Sequence, residues 1–113
     1  MDKIKNYQEI IKKAMEYYAS LFSFPPNSSS EIALALDDKH GQYILREVGW
    51  AKKDWISETP LHVMLRNNKI WIQEDWTEEG LATDLLRAGV LNNQIVLAFH
   101  HPTMRPLSEF AVA

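Results

Sequence analysis

Residues 31–50 read EIALALDDKHGQYILREVGW, and this stretch carries the clearest structural signal in the chain. Isoleucine and leucine occupy every second position from 32 to 36, an alternation that is typical of a strand with one buried face. Gly41 ends a polar turn, where it can adopt the positive φ that a tight hairpin requires. The stretch therefore predicts a β-hairpin whose returning strand runs over residues 43–51.

Two more strands are predicted beyond this hairpin, each joined to the one before it by a short turn. Residues 56–66 alternate in polarity, and Pro60 near their beginning indicates an edge or a bulge. Asn67 and Asn68 form a tight-turn signal, because asparagine tolerates the left-handed region. Residues 69–73 then read KIWIQ. Four strands joined in this way predict an antiparallel meander.

An amphipathic helix is predicted before the meander. Between residues 4 and 22, apolar side chains recur every three or four positions, while lysine and glutamate lie mostly off this stripe. We expect the helix to end near Ser23, because Phe24 precedes Pro25 and the α conformation is disfavoured before proline.

A second helix is predicted after the meander. Asp75 or Thr77 is expected to cap it, and Asp75 with Glu78 three residues later has the spacing of a capping box. Gly89 stands where a left-handed glycine ends a helix, and Val90 would then fold back onto the last turn.

The last predicted strand covers residues 95–99, which are wholly apolar and therefore expected inside the sheet. Together the elements predict a single α+β domain over residues 1–113, in the order α-β-β-β-β-α-β. Its mainly antiparallel sheet of about five strands would carry the helices packed on it. The expected core residues are Leu34, Leu36, Ile44, Ile70, Ile72, Leu85, Ile95 and Leu97.

The composition excludes some classes of function and weakens the case for others. With 12 basic and 15 acidic residues the formal net charge is -3, whereas non-specific nucleic-acid binding normally needs a basic excess. The absence of cysteine excludes disulfides, thiol catalysis and cysteine-ligated metals. No stretch approaches the roughly 20 apolar residues of a membrane span, and residues 1–13 lack the apolar run of a signal peptide. We therefore expect a soluble, cytoplasmic protein.

The residues that could carry chemistry are better explained as structural ones. His100 and His101 are adjacent, and neighbours on a strand point to opposite faces, so the pair cannot readily chelate one ion. The acidic cluster consists of Glu74, Asp75, Glu78 and Glu79. Acids at that place favour the start of a helix. We expect no metal, no cofactor and no catalytic residue, and an enzyme that combines a histidine with this cluster is kept as an alternative.

The tryptophans indicate a protein-binding surface. Trp71 lies between two isoleucines of a strand and so faces away from both, whereas Trp50, Trp55 and Trp76 fall at strand ends or turns. Tryptophan is enriched in protein interfaces. The candidate partner-binding residues are Trp50, Trp55, Trp76, His100 and Arg105.

The C-terminal tail has two interpretations. In the structural one, the tail pairs with the sheet and Phe110 fills a gap in the core, because an apolar chain end must be tied down. In the functional one, Arg105 presents its guanidinium to a carboxylate of a partner. We favour the structural role for Phe110 and Val112 and the surface role for Arg105. Loss of the Arg105 side chain should then leave the melting temperature nearly unchanged.

Four segments, read together, resemble one protein family. They are YILREVGW at 43–50, PLHVMLRNNKIWIQ at 60–73, KIWIQEDWTEEGLATDLLRAG at 69–89 and IVLAFHHPTMRPLSEFAVA at 95–113. In this order they closely resemble XisI proteins, and the resemblance extends less distinctively into the first helix. One departure is Trp76, where the family more often has a glycine in a DGTEE-like turn.

The resemblance implies a controlling factor for excision of a DNA element, the fdxN element of cyanobacteria. Such proteins act with a companion, XisH, which looks like a nuclease-fold protein, and with a separate site-specific recombinase. The family has no established catalytic motif, so no catalytic residue carries over to this sequence. The expected function is therefore a non-enzymatic one, exerted by binding an XisH-like partner. Self-association is left open, and contact with DNA is expected to be indirect or weak.

Direct DNA binding is the alternative function. Arg46, Lys52 and Lys53 could form a basic patch beside Trp50 and Trp55 on one hairpin. The negative net charge argues against this alternative, and a salt-dependent shift with duplex DNA would discriminate between the two.

Overall fold

The computed structural model describes residues 3–113, and these follow the predicted α+β order. The elements are α1 at Lys3–Ser20, β1 at Glu31–Asp37, β2 at Gln42–Ala51, β3 at Asp54–Arg66, β4 at Lys69–Asp75, α2 at Leu81–Arg87 and β5 at Ile95–Leu97. Short 3-10 turns lie at Asn92–Gln94 and Arg105–Leu107. Within residues 3–113, neither helix is both long and apolar enough to cross a bilayer.

The sheet has five strands in the order β1-β2-β3-β4-β5. The first four pair antiparallel as the predicted meander, whereas β5 pairs parallel with β4. A parallel neighbour needs a crossover connection, and α2 supplies it. The prediction of an interior last strand is wrong, because β5 ends at Leu97 and lies at the edge. Among residues 3–113, one isolated bridge, Val96 to Ala111, lies on its outer side.

Two turns of the meander use the conformations that the sequence predicts. Gly41 has a φ of 64°, and a Cβ placed there would lie 2.6 Å from the carbonyl oxygen of Leu65. Asn67 and Asn68 have φ values of 53° and 62°, the positive pair that a two-residue hairpin of type I′ requires. These turns set the register of the flanking strands.

A β-bulge interrupts the pairing of β2 with β3. Leu45 lies opposite Leu61, whereas Glu47 lies opposite Glu58, so β3 carries one extra residue between them. Pro60 is part of that bulge, as its sequence predicts. A proline is tolerated there because the bulged residue is left out of the hydrogen-bond ladder.

The core lies between α1, α2 and one face of the sheet. Tyr7, Ile11 and Met15 recur every four residues along α1 and are buried against that face. The full set of clustered core residues is Tyr7, Ile11, Met15, Tyr43, Leu45, Leu61, Val63, Ile70, Ile72, Leu81, Leu85, Val90 and Ile95. Half of the eight predicted core residues belong to this set.

The other predicted core residues are less buried than expected. Ile44 lies between Tyr43 and Leu45, which are both fully buried, so its side chain points to the opposite face of the sheet. Leu34 is on the helix side but remains 37% exposed, because β1 is an edge strand. Leu36 and Leu97 are only partly buried and pack at the margin of the core.

The second helix begins later than predicted. It starts at Leu81, after Gly80 with a φ of 88°, and so Asp75 and Thr77 do not cap a continuous helix and Glu78 forms no capping box. Asp75 nevertheless reaches the helix start. Its Oδ2 accepts from the backbone N–H of Leu81 at 2.5 Å, while its Oδ1 accepts from the N–H of Thr77 at 3.0 Å.

The end of this helix confirms the prediction. Gly89 has a φ of 99°, and its N–H donates to the carbonyl of Leu86 at 3.0 Å. The N–H of Val90 donates to the carbonyl of Leu85, also at 3.0 Å, and the Val90 side chain is buried. This pair of bonds is a Schellman motif with its apolar contact.

Candidate interaction surfaces

A broad groove of about 790 Å³ runs between the end of α1, the bulged part of the sheet and α2. The apolar and aromatic residues that line it are Tyr17, Tyr18, Leu21, Phe22, Pro60, Leu61 and Trp76. The polar residues are Ser23, Glu47, Thr77, Glu78, Glu79, Asp84 and Arg87. We call this surface the aromatic groove.

The aromatic groove leaves large apolar side chains in contact with solvent. Leu21 and Trp76 are each 59% exposed, and Tyr17 is 57% exposed. Phe22 stands beside them and is also exposed. Contiguous apolar surface rimmed by polar groups is characteristic of binding sites, whereas scattered exposed residues are ordinary.

The local sequence explains why these side chains are not buried. α1 ends immediately before Leu21, so Leu21 and Phe22 leave the helix instead of continuing its buried stripe. On the opposite wall, the backbone N–H of Trp76 donates to the carbonyl of Pro60 at 2.9 Å. The indole N–H of Trp76 donates to Glu74 at 2.8 Å. The bulge therefore fixes the segment that carries Trp76.

A hydrogen bond joins the two helices inside the aromatic groove. The hydroxyl of Tyr18 donates to the carboxylate of Asp84. Burial raises the pKa of Tyr18 to about 12, and the Asp84 carboxylate contributes to the same rise. Arg87 lies 3.3 Å from Glu79 and 3.8 Å from Asp84, so these two carboxylates share one guanidinium.

The charge of the aromatic groove is predominantly negative. It contains four carboxylates against the single guanidinium of Arg87. Glu47 is half-buried, and within residues 3–113 neither Glu47 nor Glu78 has a side-chain hydrogen bond or an ion pair. The surface thus combines exposed aromatic rings with carboxylates that the described chain leaves unneutralised.

The tryptophans at the β2–β3 turn form a second exposed surface. The rings of Trp50 and Trp55 meet edge to face with centroids 5.2 Å apart, and the residues are 51% and 57% exposed. The loop between α1 and β1 holds Trp50 in place, because the backbone N–H of Trp50 donates to the Ser29 hydroxyl at 2.9 Å. Gly49 permits this approach, since a Cβ there would lie 2.4 Å from the Cα of Ser30.

The basic patch proposed for DNA contact is only partly assembled. Lys52 and Lys53 are exposed in the turn between the two tryptophans. The guanidinium of Arg46, however, donates to the hydroxyl of Thr59 at 2.6 Å and to that of Ser57 at 2.5 Å. The Arg46 guanidinium is therefore bound within the sheet and is not a free cation of the basic patch.

Arg105 is tied into the tail and is not a free surface cation. Its guanidinium donates to the backbone carbonyls of His100, Ala98 and Val112 at 3.1, 3.2 and 3.1 Å. It also lies over the Trp71 ring, 5.7 Å from the centroid. The expectation that the Arg105 side chain could be lost without a change in stability is therefore not supported by its contacts.

The rest of the tail confirms the structural interpretation. The backbone N–H of Ala111 donates to the carbonyl of Ile95 at 2.8 Å, so the tail pairs with the sheet edge. Phe110 is partly buried against the core, and Val96 is fully buried beside the tail. Val112, by contrast, is 52% exposed, and its structural contact is the backbone carbonyl that accepts from Arg105.

The two adjacent histidines lie in a turn beyond β5 and not on a strand. His100 packs edge to face on Phe99 with centroids 4.8 Å apart, and His101 Nδ1 lies 2.9 Å from the Thr103 hydroxyl. In the part of the chain that the structure describes, no three histidine or carboxylate side chains are placed to hold a metal ion.

The acidic cluster is divided among structural contacts. Glu74 accepts from the Trp76 indole, Asp75 holds the start of α2, and Glu79 pairs with Arg87. Glu78 alone has no such contact among the described residues, and it faces the aromatic groove.

The five predicted partner-binding residues fall in three places. Trp76 lines the aromatic groove, Trp50 and Trp55 form the pair at the β2–β3 turn, and His100 and Arg105 belong to the tail. The exposed groove residues Tyr17, Leu21 and Phe22 at the end of α1, and Glu47 on β2, were not among the predicted partner-binding residues. A signal was present, since apolar residues continue up to Pro25 although the helix has to end before it.

Comparison with known proteins gives consistent results. The family model described as XisI protein matches residues 1–112. The crystal structure of fdxN element excision controlling factor XisI from Anabaena variabilis is 34% identical with a TM-score of 0.85, over 99% of this chain and all of that one. A XisI-like protein from the same organism is 31% identical with a TM-score of 0.90, over 97% and 99% of the two chains. No curated protein matches the chain.

Proposed function

The chain belongs to the XisI family, and on that premise we propose that it controls excision of a DNA element by binding another protein. The name of its structural relative, fdxN element excision controlling factor, supports the role in excision. The residues of this chain support the mode of action, which is contact with a protein partner.

Exposed tryptophan is the observation that carries the proposed mode of action. Trp50, Trp55 and Trp76 are 51%, 57% and 59% exposed. Tryptophan is the side chain most strongly enriched among the residues that dominate binding energy, because burying its large ring in a complex removes much apolar area from water. These three side chains would be the anchors of the partner contact.

The proposal includes a non-enzymatic role. Among the described residues, every candidate catalytic group except Glu78 has a structural partner that accounts for its position: His101 contacts Thr103, His100 packs on Phe99, and Asp75 holds the start of α2.

The proposed partner is an XisH-like protein, the companion that the family resemblance implies, with a site-specific recombinase acting on the DNA. A net charge of -3 suits this arrangement, since an acidic protein is attracted to a DNA-binding protein through the basic surface of the latter. Contact of this chain with DNA would then be indirect.

Co-purification tests the proposal. The chain is co-expressed with the XisH-like protein of the same genome and the complex is isolated through a tag on the partner. We expect the parent to co-purify and the combined variant Trp50→Ala/Trp55→Ala/Trp76→Ala to be depleted. The matched control, Phe99→Ala/Met104→Ala/Leu107→Ala, removes three apolar side chains that are at least 51% exposed from the region after β5 and should still bind. Absence of the parent from the isolated partner would contradict the proposal.

Direct DNA binding remains the second candidate because Lys52 and Lys53 lie exposed in the turn between Trp50 and Trp55. Lysines beside exposed rings are typical of surfaces that bind nucleic-acid strands. Fluorescence anisotropy with labelled duplex and single-stranded DNA tests this candidate. Binding that weakens steeply with salt and is lost in Lys52→Gln/Lys53→Gln would favour it over the protein-binding role.

A further inference from the structure

We propose that the aromatic groove binds a basic, arginine-bearing segment of a partner protein. This inference deepens the proposed function and rests on it, because it takes protein contact as the mode of action and names the surface and the chemistry of the segment bound. The groove volume of about 790 Å³ is within the range of sites that enclose a small ligand or a few side chains.

The exposed rings of the aromatic groove stand on opposite walls. Tyr17 and Phe22 stand at the end of α1, and Trp76 stands on the bulged side of the sheet, so aromatic surface lines both walls. Tyr17 packs only edge to face on Tyr18, at a centroid distance of 5.3 Å, and remains 57% exposed. These rings offer a planar or cationic group an apolar surface on which to stack.

The side chains between those walls carry mainly negative charge. Glu47 is half-buried on β2, lines the groove and has no hydrogen-bonding or ionic partner within residues 3–113. Glu78 is likewise unpaired, while Glu79 and Asp84 share Arg87. An incoming cation would therefore meet carboxylates that the described chain does not neutralise, and an incoming anion would be repelled.

Arginine satisfies both features with one side chain. Its guanidinium stacks on aromatic faces and also donates two parallel hydrogen bonds to a carboxylate, which an ammonium cannot do with the same geometry. The protein itself contains this combination elsewhere. Arg66 and Arg105 lie over the ring of Trp71 at 5.3 and 5.7 Å, and Arg105 donates to backbone oxygens at the same time.

The described chain does not offer such an arginine from its own tail or sheet. Arg105 donates to three backbone carbonyls, and Arg46 donates to two hydroxyls. Arg66 lies over the Trp71 ring, and Arg87 already pairs with two carboxylates of the groove. The complement of the groove is therefore assigned to another protein.

Selection from a phage-displayed library of random short peptides tests the assignment. The immobilised parent should enrich peptides in which arginine adjoins apolar or aromatic residues, and their binding should weaken as salt is raised. Glu47→Gln should weaken the binding of the selected peptides about tenfold or more, as expected for loss of a charge-assisted hydrogen bond. Trp76→Ala should weaken it by a similar factor.

Matched variants separate the aromatic groove from the rest of the surface. Glu109→Gln removes an exposed carboxylate of the tail, and Leu91→Ala removes an apolar side chain that is 65% exposed and lies outside the groove; both should bind the peptides like the parent. Circular dichroism and thermal melting establish that all four variants are folded. Enrichment of acidic or neutral peptides, failure to enrich any, or equal binding by Glu47→Gln and Trp76→Ala would each overturn the assignment.

Two further measurements separate this inference from the proposed function. If the XisH-like protein binds the parent and Glu47→Gln equally well, the groove assignment fails while the proposed function stands. If the XisH-like protein does not bind but the basic peptides occupy the groove, the proposed function fails and the groove assignment stands. A second copy of the chain is the other possible occupant of the groove, and sedimentation of the parent in the absence of a partner tests for it. Self-association that Trp76→Ala abolishes would place a second copy in the groove and overturn the assignment.

Discussion

Arg105 and Trp71 connect the C-terminal tail to the centre of the chain. The guanidinium lies 5.7 Å from the centroid of the Trp71 ring, and the indole N–H of Trp71 donates to the carbonyl of Arg66 at 3.0 Å. Trp71 stands on the face of the sheet that the helices do not cover, and two arginines lie over its ring. The tail thereby covers part of a surface that would otherwise be apolar and open.

Replacement of Arg105 should lower stability. Arg105→Ala removes three hydrogen bonds to backbone carbonyls and one cation–π contact, and part-exposure reduces the value of each. We expect a loss of about 1–3 kcal/mol in the free energy of unfolding, measured by urea denaturation. Arg105→Lys should recover only part of it, since one ammonium cannot reach all three carbonyls. An unchanged midpoint for Arg105→Ala would show that these bonds contribute nothing in solution.

Replacement of Phe110 should also destabilise the fold. The ring is partly buried against the core, so Phe110→Ala should lower the free energy of unfolding by about 2 kcal/mol, below the range for a fully buried ring. Val112→Ala is the control, because Val112 is 52% exposed and should change stability by less than about 0.5 kcal/mol. Thermal melting of the two variants beside the parent measures the difference. Equal effects would mean that the tail is not docked as described.

Asp75 should support α2 although it lies six positions before Leu81. Asp75→Ala deprives the N–H groups of Leu81 and Thr77 of their acceptor, and we expect a cost of about 1–2 kcal/mol, as for loss of an N-cap. Glu78→Ala serves as the comparison, because the structure gives Glu78 no capping role. Chemical denaturation measures the loss in free energy of unfolding for both variants. A larger loss for Glu78→Ala than for Asp75→Ala would favour the capping box that the sequence predicted.

The pair of Tyr18 and Asp84 should make stability sensitive to alkali. The folded-state pKa of Tyr18 is raised from 10.0 to about 12, so above pH 10 the unfolded chain loses this proton first. The folded state then binds more protons than the unfolded state, and stability must fall as the pH rises from 10 towards 12. Tyr18→Phe should lose less stability than the parent over that interval. In an absorbance titration, Tyr18→Phe should show one fewer tyrosine that ionises late than the parent does. Identical curves for the two proteins would contradict the raised pKa of Tyr18.

Local chemistry explains why most of the fold could be predicted from the sequence. The asparagine pair at 67–68 and Gly41 specify their turns through backbone preferences alone, and Gly89 with Val90 specifies the end of α2 in the same way. Each of these signals acts between residues a few positions apart. The antiparallel meander and the second helix follow directly from them.

Features that depend on distant residues could not be predicted in the same way. Tyr43, Ile44 and Leu45 are three consecutive apolar residues, so alternation alone does not say which of them face the helices. The three acceptors of Arg105 are backbone carbonyls, which every residue possesses and no sequence pattern marks. The exposed tryptophans were anticipated from composition and position, but their division into separate surfaces required the sheet to be assembled.

The aromatic groove is the least predictable part of the candidate site. Its walls come from α1, β2, the bulge of β3, the segment before α2 and α2 itself. Glu47 looks in the sequence like an ordinary polar residue of an alternating strand. Only the bulge beside Pro60 and the early end of α1 bring it next to exposed rings.

The parallel pairing of β5 has a consequence for the order in which the protein forms. All pairings from β1 to β4 join strands that are consecutive in the chain, so each can form with a short loop to close. The β4–β5 pairing must wait for α2, and the bridge from Val96 to Ala111 must wait for the tail that follows β5. During synthesis we therefore expect the meander to assemble on the ribosome while the β5 side of the sheet is still open. Protease protection of stalled nascent chains would reveal this order, and simultaneous protection of β1 and β5 would refute it.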